Sequence, residues 1–275
     1  MPKTPIRLPQ AASAALIATG TVALLTSIYY VSSILAFIGL GLVFWGAILA
    51  FIQTEEHAKK SLLDASIQPS LATLNQLIKE LDYKGNAIYL PPKYFQEPES
   101  VKIYIQKKGT GTPTPEEVQK RERQLFAQNP QSLLLTPPGA GLAALFEKTL
   151  ETSLMKLRLE DLQNNLQKLF IEDLEIAENI ETQMEATQAS KQAIDDVSLT
   201  RREETINVKI TNTIYKDTCK EARQLSHICK TTGCPLCSSI AIAIVKASGK
   251  PLTIEKAECT ENGTMIEASY RLIEE

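Results

Sequence analysis

The sequence predicts an α+β protein: an N-terminal two-helix transmembrane hairpin, then a cytoplasmic domain with antiparallel strands and packing helices. Three observations carry this expectation. No charged side chain occurs from Leu8 to Thr54, a run of 47 residues. From Glu55 onward charge returns, and short strand-like stretches alternate with amphipathic helical ones. Near the C-terminus Asn262-Gly263 separates two alternating apolar stretches, a hairpin signal because both residues tolerate positive φ.

The uncharged run is too long for one crossing and suits two. About 20 helical residues span a hydrocarbon core of about 30 Å. The first helix is expected near residues 11–29 and the second near 34–52, with Tyr30, Val31, Ser32 and Ser33 as the turn. Tyr29 and Tyr30 suit the headgroup layer, where an apolar ring and a wet hydroxyl are both satisfied. Lys3 and Arg7 precede the hairpin, Lys59 and Lys60 follow it, and the turn is uncharged. The bias of basic residues toward the cytoplasm therefore predicts a two-span protein of the cell membrane with both termini inside. The competing pattern, a cleaved signal peptide followed by one anchor, lacks a small-residue cleavage site before a polar start. Ala36, Gly39, Val43, Gly46 and Ala50 share one face of the second helix, and Ala11, Ala15, Thr19 and Ala23 share one face of the first. Small residues let helices approach in lipid, so these two faces are expected to meet. Apart from Tyr29 neither span carries an ionisable residue, which argues for an anchor without an ion path.

Beyond the hairpin, 27 basic and 32 acidic residues are scattered without a basic stripe, which argues against nucleic acid. The expected divisions are 1–54 for the hairpin, 55–82 for juxtamembrane helices, 83–152 for a first α+β unit and 153–275 for a second. Pro69 is expected to interrupt the juxtamembrane helix, and Leu74, Leu77, Ile78 and Leu81 mark one face of the helix after it. Strands are expected at Ala87–Leu90, Val101–Ile105 and Leu133–Thr136. Between them lie a plain loop at Lys107–Pro113 and a charged helix at Pro115–Gln128. Pro137-Pro138-Gly139-Ala140-Gly141 leads into a helix at Leu142–Glu151, followed by an amphipathic helix with Leu159, Leu162, Leu166, Leu169 and Phe170 inward. Residues 174–204 stay open between strand, helix and loose insert. The last third reads as a strand at Thr205–Thr211, a helix at Asp217–His227 and an apolar helix at Pro235–Ser248 stopped by Gly249. A hairpin of Leu252–Cys259 with Thr264–Ile273 closes it through a two-residue turn. Ile254, Ile266, Ala268, Tyr270 and Leu272 are expected under the apolar helix. Ile244→Asp should then unfold the domain, while Lys246→Asp should do little.

Three segments in this order resemble an uncharacterised family of archaeal membrane-anchored proteins: Ala87-Ile88-Tyr89-Leu90-Pro91-Pro92, Leu133 through Leu142, and Gly233-Cys234-Pro235-Leu236-Cys237-Ser238-Ser239-Ile240-Ala241. The resemblance covers most of the chain and implies an architecture without a mechanism. The tail Glu258-Cys259-Thr260-Glu261-Asn262-Gly263 is similar to the end of vinyl-reductase-like small-molecule-binding domains. Those carry a further Cys in the last strand, where this chain has Glu267-Ala268-Ser269.

All five cysteines lie in the last third, at 219, 229, 234, 237 and 259. Cys234-x-x-Cys237 has the bite for one metal, and Cys229 with Cys259 or His227 completes four ligands for zinc or an iron–sulfur centre. Against this stands the usual fate of free cysteine, burial as a small hydrophobe. Pro137, Pro138, Gly139 and Gly141 precede a helix whose first N–H groups can hold an anion, or form a turn that only packs closely. No His, Ser or Lys pattern supports a catalytic constellation, so no catalytic residue is assigned. The expected function is non-enzymatic: a membrane-anchored cytoplasmic protein that binds a ligand, a protein partner or a second copy of itself. The alternative is a thiol- or metal-dependent redox protein using the C-terminal cysteines.

Overall fold

A computed structural model describes residues 8–83, 87–97, 99–107, 111–121, 132–188, 202–225, 228–260 and 262–274. The chain divides into two compact units, Met1–Ala65 and Ser66–Glu275.

The first unit is built on two apolar helices, α1 (Leu8–Tyr30) and the opening stretch of α2 (Ser33–Glu80). Segments Ala12–Tyr30 and Ser33–Phe51, 19 residues each, are long and apolar enough to cross a membrane. The turn is tight: Val31 has φ 48°, and the Ser27 hydroxyl donates to the Ser32 carbonyl at 2.8 Å. The α2 face expected from the small residues is the contact face, since a Cβ on Gly39 or Gly46 would lie under 3 Å from atoms of α1. The α1 face differs from the expectation. Ser13, Ile17, Gly20 and Leu24 meet α2, and a Cβ on Gly20 would sit 2.8 Å from the Gly39 carbonyl oxygen. Ala15 and Thr19 are exposed, and the Thr19 hydroxyl donates to its own helix at Ala15. Closest approach is set by the one glycine of α1, which lies off the alanine stripe.

Pro69 does not interrupt α2, which runs through it to Glu80. Proline forfeits one helical hydrogen bond but leaves the remaining ladder available. The Thr73 hydroxyl donates to the Pro69 carbonyl at 2.9 Å, one turn on.

The second unit holds a seven-stranded antiparallel sheet in the order β3-β2-β1-β6-β7-β5-β4. Its strands are β1 (Ala87–Leu90), β2 (Lys102–Gln106), β3 (Ser132–Leu135), β4 (Asn179–Gln188), β5 (Arg202–Thr211), β6 (Leu252–Cys259) and β7 (Met265–Leu272). The open stretch after residue 174 thus resolves in part as strand β4, paired with β5 along all ten residues. Residues 189–201, most of the expected insert, lie outside the described residues. So do 122–131, and with them the end of the charged helix, which is described as α3 (Pro115–Arg121).

One sheet face carries α5 (Leu159–Lys168, continued by a wide turn to Asp173) and α7 (Pro235–Ser248), and α4 (Ala140–Leu150) packs against α7. Every residue of α7 from Pro235 to Lys246 is buried, as expected of a helix apolar on all sides. Gly249 ends it in the left-handed conformation, donating to the Val245 carbonyl. Ile206, Val208, Ile210, Ile254, Ile266, Ala268, Tyr270 and Leu272 form the buried side of the central strands. Glu255 is an extra residue between Ile254 and Lys256 in the pairing with β7. This bulge shifts the alternation by one, so Lys256 and Glu258 point outward beyond it, while Ala257 and Cys259 are half-buried.

At the β1–β3 end the opposite sheet face is also covered. Ile88, Leu90 and Tyr104 pack there with Tyr94, Phe95 and Val118 of α3. The β6–β7 connection is wider than the expected two-residue turn. Thr260 pairs with Met265 through its N–H, and among the described residues of the loop only Gly263 (φ 70°) takes positive φ. Gly263 packs on the start of α6 (Lys216–Gln224), where a Cβ would meet the Lys216 carbonyl at 2.7 Å. That tertiary contact, absent from an isolated hairpin, selects the wider loop.

Candidate functional site

Two places in the second unit bring functional groups together: the nest at the start of α7 and the uncovered sheet face.

The nest follows from Pro235. Proline suits the first position of a helix, where its missing N–H costs nothing, and it leaves Cys234 as the N-cap in an extended conformation. Cys234 Sγ lies 3.4 Å from Cys219 Sγ of α6, and both thiols are buried. Hydrogen bonds from the Cys219 and Cys237 thiols hold Cys234 well below the usual thiol range; burial opposes this, and the N–H groups of Cys237 and Leu236 assist it. The same hydrogen bond, with burial, pushes Cys219 well above that range. Either thiol can donate in this contact. Around them, Tyr89 of β1 donates to the Thr232 carbonyl and lies 2.9 Å from Ser238 Oγ. Tyr270 donates to the Cys237 carbonyl at 3.0 Å. Burial drives both phenols upward, so both stay protonated.

The expected metal ligands are placed as follows. Cys234 and Cys237 are buried at the start of α7, and Cys259 is half-buried at the end of β6, its thiol 3.4 Å from the Thr260 carbonyl. The side chain of Cys229 lies outside the described residues, as does His227. Among the described residues no group of three or more His, Cys, Asp or Glu side chains is arranged to hold a metal ion. Sequence reasoning left Cys219 out of the set. The signal available was its place beside Thr218 and one turn before Ala222, the buried face of an otherwise charged α6.

The expected anion turn packs against the same nest. Pro137 and Gly139 are buried, Pro138 is half-buried and Gly141 is exposed. The Gly139 N–H donates to Ser238 Oγ at 3.0 Å, and a Cβ there would fall 2.1 Å from Ser239 N. The turn is thus the seat of α7. Nearby, Lys246 of α7 donates to both carboxylate oxygens of Glu147 in α4 at 2.9 and 2.8 Å. Glu147 also accepts from the Ser153 hydroxyl and the Leu154 N–H.

Among the described residues, no helix covers the outer face of β4, β5, β7 and β6. Glu181, Gln183, Asn207, Lys209, Lys256 and Glu267 line an open depression of about 340 Å³, with Ser269 at its floor. The Ser269 hydroxyl donates to Asn207 Oδ1 at 2.6 Å, and Lys256 bridges to Glu258 at 3.0 Å and Glu267 at 3.9 Å. The depression offers amide, cationic and anionic groups to a polar occupant, without an activated nucleophile or an acid–base pair.

Residues 8–270 match the family described as "Domain of unknown function (DUF7982)". The chain belongs to this family. No curated protein and no solved structure matches it.

Proposed function

We propose that the chain is a membrane-anchored binding protein: α1 and the start of α2 tether to the bilayer a cytoplasmic α+β domain that takes a polar ligand or protein partner on its uncovered sheet face. The observation that carries the anchor is the outer surface of the hairpin. Ile28, Phe37, Phe44, Trp45 and Phe51 are each more than 60% exposed, on helices of bilayer length. Water does not tolerate such a contiguous apolar surface, whereas lipid covers it at no cost. Tyr29 and Tyr30 stand exposed at the end of α1, where a headgroup layer would meet them. The position of Lys3 and Arg7 before the spans, and Lys59 and Lys60 after them, supports a cytoplasmic domain. The binding part of the reading rests on the mixed polar depression and on the lack of a catalytic constellation around it.

Alkaline carbonate extraction tests the anchor. The full chain should stay with the membrane pellet, and a chain starting at Glu55 should move to the supernatant. Release of the full chain by carbonate would refute a spanning hairpin. Native mass spectrometry of the full chain, freed from detergent in the gas phase, tests the binding. A retained ligand or partner should be lost on Lys256→Glu with Lys209→Glu, and retention unchanged in that variant would place binding elsewhere.

A further inference from the structure

We propose that Cys219 and Cys234 are a reactive dithiol which a hydroperoxide oxidises to a disulfide, joining α6 to the start of α7. The proposal stands on geometry and goes beyond the binding function, on which it does not depend. The two sulfur atoms are 3.4 Å apart, in direct contact. A disulfide needs about 2.05 Å, so closure is a movement of little more than an ångström. The Cys234-x-x-Cys237 spacing suggests a different pair, but both of those residues belong to one helical turn. The Cys237 thiol also hydrogen-bonds to Cys234, but Cys219 approaches from a separate element, so its bond to Cys234 would join two helices.

The two thiols come from different surroundings. Cys234 caps the start of α7, where the N–H groups of Leu236 and Cys237 face its sulfur. Cys219 reaches that sulfur from α6, at 3.4 Å. In the first step the Cys234 thiolate attacks one peroxide oxygen. The O–O bond breaks, the other oxygen leaves as an alcohol or water after taking a proton, and Cys234 becomes a sulfenic acid. In the second step the Cys219 sulfur attacks the Cys234 sulfur. The sulfenic hydroxide leaves as water with a proton, and the S–S bond forms. The two thiols lose two electrons to the peroxide, and the products are one disulfide, one alcohol and one water.

Burial of both thiols selects the oxidant. A bulky disulfide reagent cannot reach them in the closed fold, whereas a small peroxide enters through brief opening of α6. That nine-residue helix exposes Lys220, Glu221, Arg223 and Gln224 on its outer side.

The test uses the full chain in detergent micelles. It is treated with hydrogen peroxide, its remaining thiols are blocked with N-ethylmaleimide, and it is digested without reductant and mapped by mass spectrometry. The expected result is a Cys219–Cys234 linked peptide pair that disappears on reduction, with Cys237 recovered as the maleimide adduct. In Cys219→Ser the second step is blocked, so dimedone should trap Cys234 as its sulfenic-acid adduct at least tenfold above wild type. Cys237→Ser should form the disulfide as wild type does. A dominant Cys234–Cys237 link, a link from Cys229 to either residue, or recovery of Cys219 and Cys234 as maleimide adducts where Cys259 is already oxidised would overturn the proposal. The wild-type map decides the matter even if a variant fails to fold.

Discussion

Lys246→Asp is expected to unfold the second unit about as thoroughly as Ile244→Asp. The second of these substitutions buries a carboxylate among apolar side chains, since Ile244 is 1% exposed beneath α5 and the sheet. The first was expected from the sequence to be mild, and the structure reverses that expectation. The Lys246 side chain is 7% exposed and forms a doubly hydrogen-bonded pair with Glu147. Removing one partner of a buried pair costs roughly 3–5 kcal/mol, because the other charge is left without compensation. Aspartate adds a second negative charge beside Glu147, and a whole domain has about 5–15 kcal/mol to lose. Lys246→Met should be milder, because methionine fills the space and Glu147 keeps Ser153 and Leu154 as donors. Thermal unfolding followed by circular dichroism suits the comparison, since the only tryptophan, Trp45, lies in the hairpin and does not report on this unit. A melting temperature for Lys246→Asp within a degree of wild type would show that the pair contributes nothing.

Among the described glycines of the second unit, Gly139→Ala is expected to be the most damaging. The new Cβ would lie 2.1 Å from Ser239 N and 2.6 Å from the Pro235 carbonyl oxygen. Both are backbone atoms at the start of α7, so no side-chain rotation relieves the clash. Overpacking a core costs about 1–3 kcal/mol where side chains yield. Here α7 itself must move, which also strains the Ser238 hydrogen bonds to Gly139 and Tyr89, so the loss should lie at or above the top of that range. Gly141→Ala is the control. Nothing lies within 4 Å of a Cβ there, and alanine is favoured over glycine in a helix by up to about 1 kcal/mol. Opposite signs for the two substitutions in one melting experiment are expected. Equal, small effects would mean that Gly139 is not the seat of α7.

Much of this fold was legible because the relevant signals are local. An uncharged run of double bilayer length specifies two helices, and α7 and β6 begin and end where Pro235, Gly249 and the apolar pattern place them. The features that escaped depend on contacts between distant segments. Nothing in α2 reveals that Gly39 meets Gly20 in place of the alanine stripe of α1. Lys246 resembles a surface lysine at a helix end until Glu147, 99 residues away, is brought against it. Asn262-Gly263 carries a two-residue turn signal, yet packing of Gly263 on α6 widens the loop. Among the cysteines, the spacing of 234 and 237 points to one helix, and nothing in it reveals that Cys219 on another also reaches Cys234. The uncovered face left only the ordinary alternation of Lys209, Glu267 and their neighbours, which any solvated strand shows.

The central claim, a two-span anchor with both ends in the cytoplasm, is tested most directly by cysteine labelling of intact cells with a membrane-impermeant maleimide. Two single substitutions serve, Ser32→Cys in the turn between α1 and α2 and Ser61→Cys beyond the second span. The native cysteines all lie beyond residue 200 and act as an internal control, since a cytoplasmic domain keeps them from the reagent. Labelling of Ser32→Cys in intact cells, with Ser61→Cys labelled only after the membrane is permeabilised, is the expected result. Labelling of Ser61→Cys in intact cells would put the domain outside and contradict the cytoplasmic anchor.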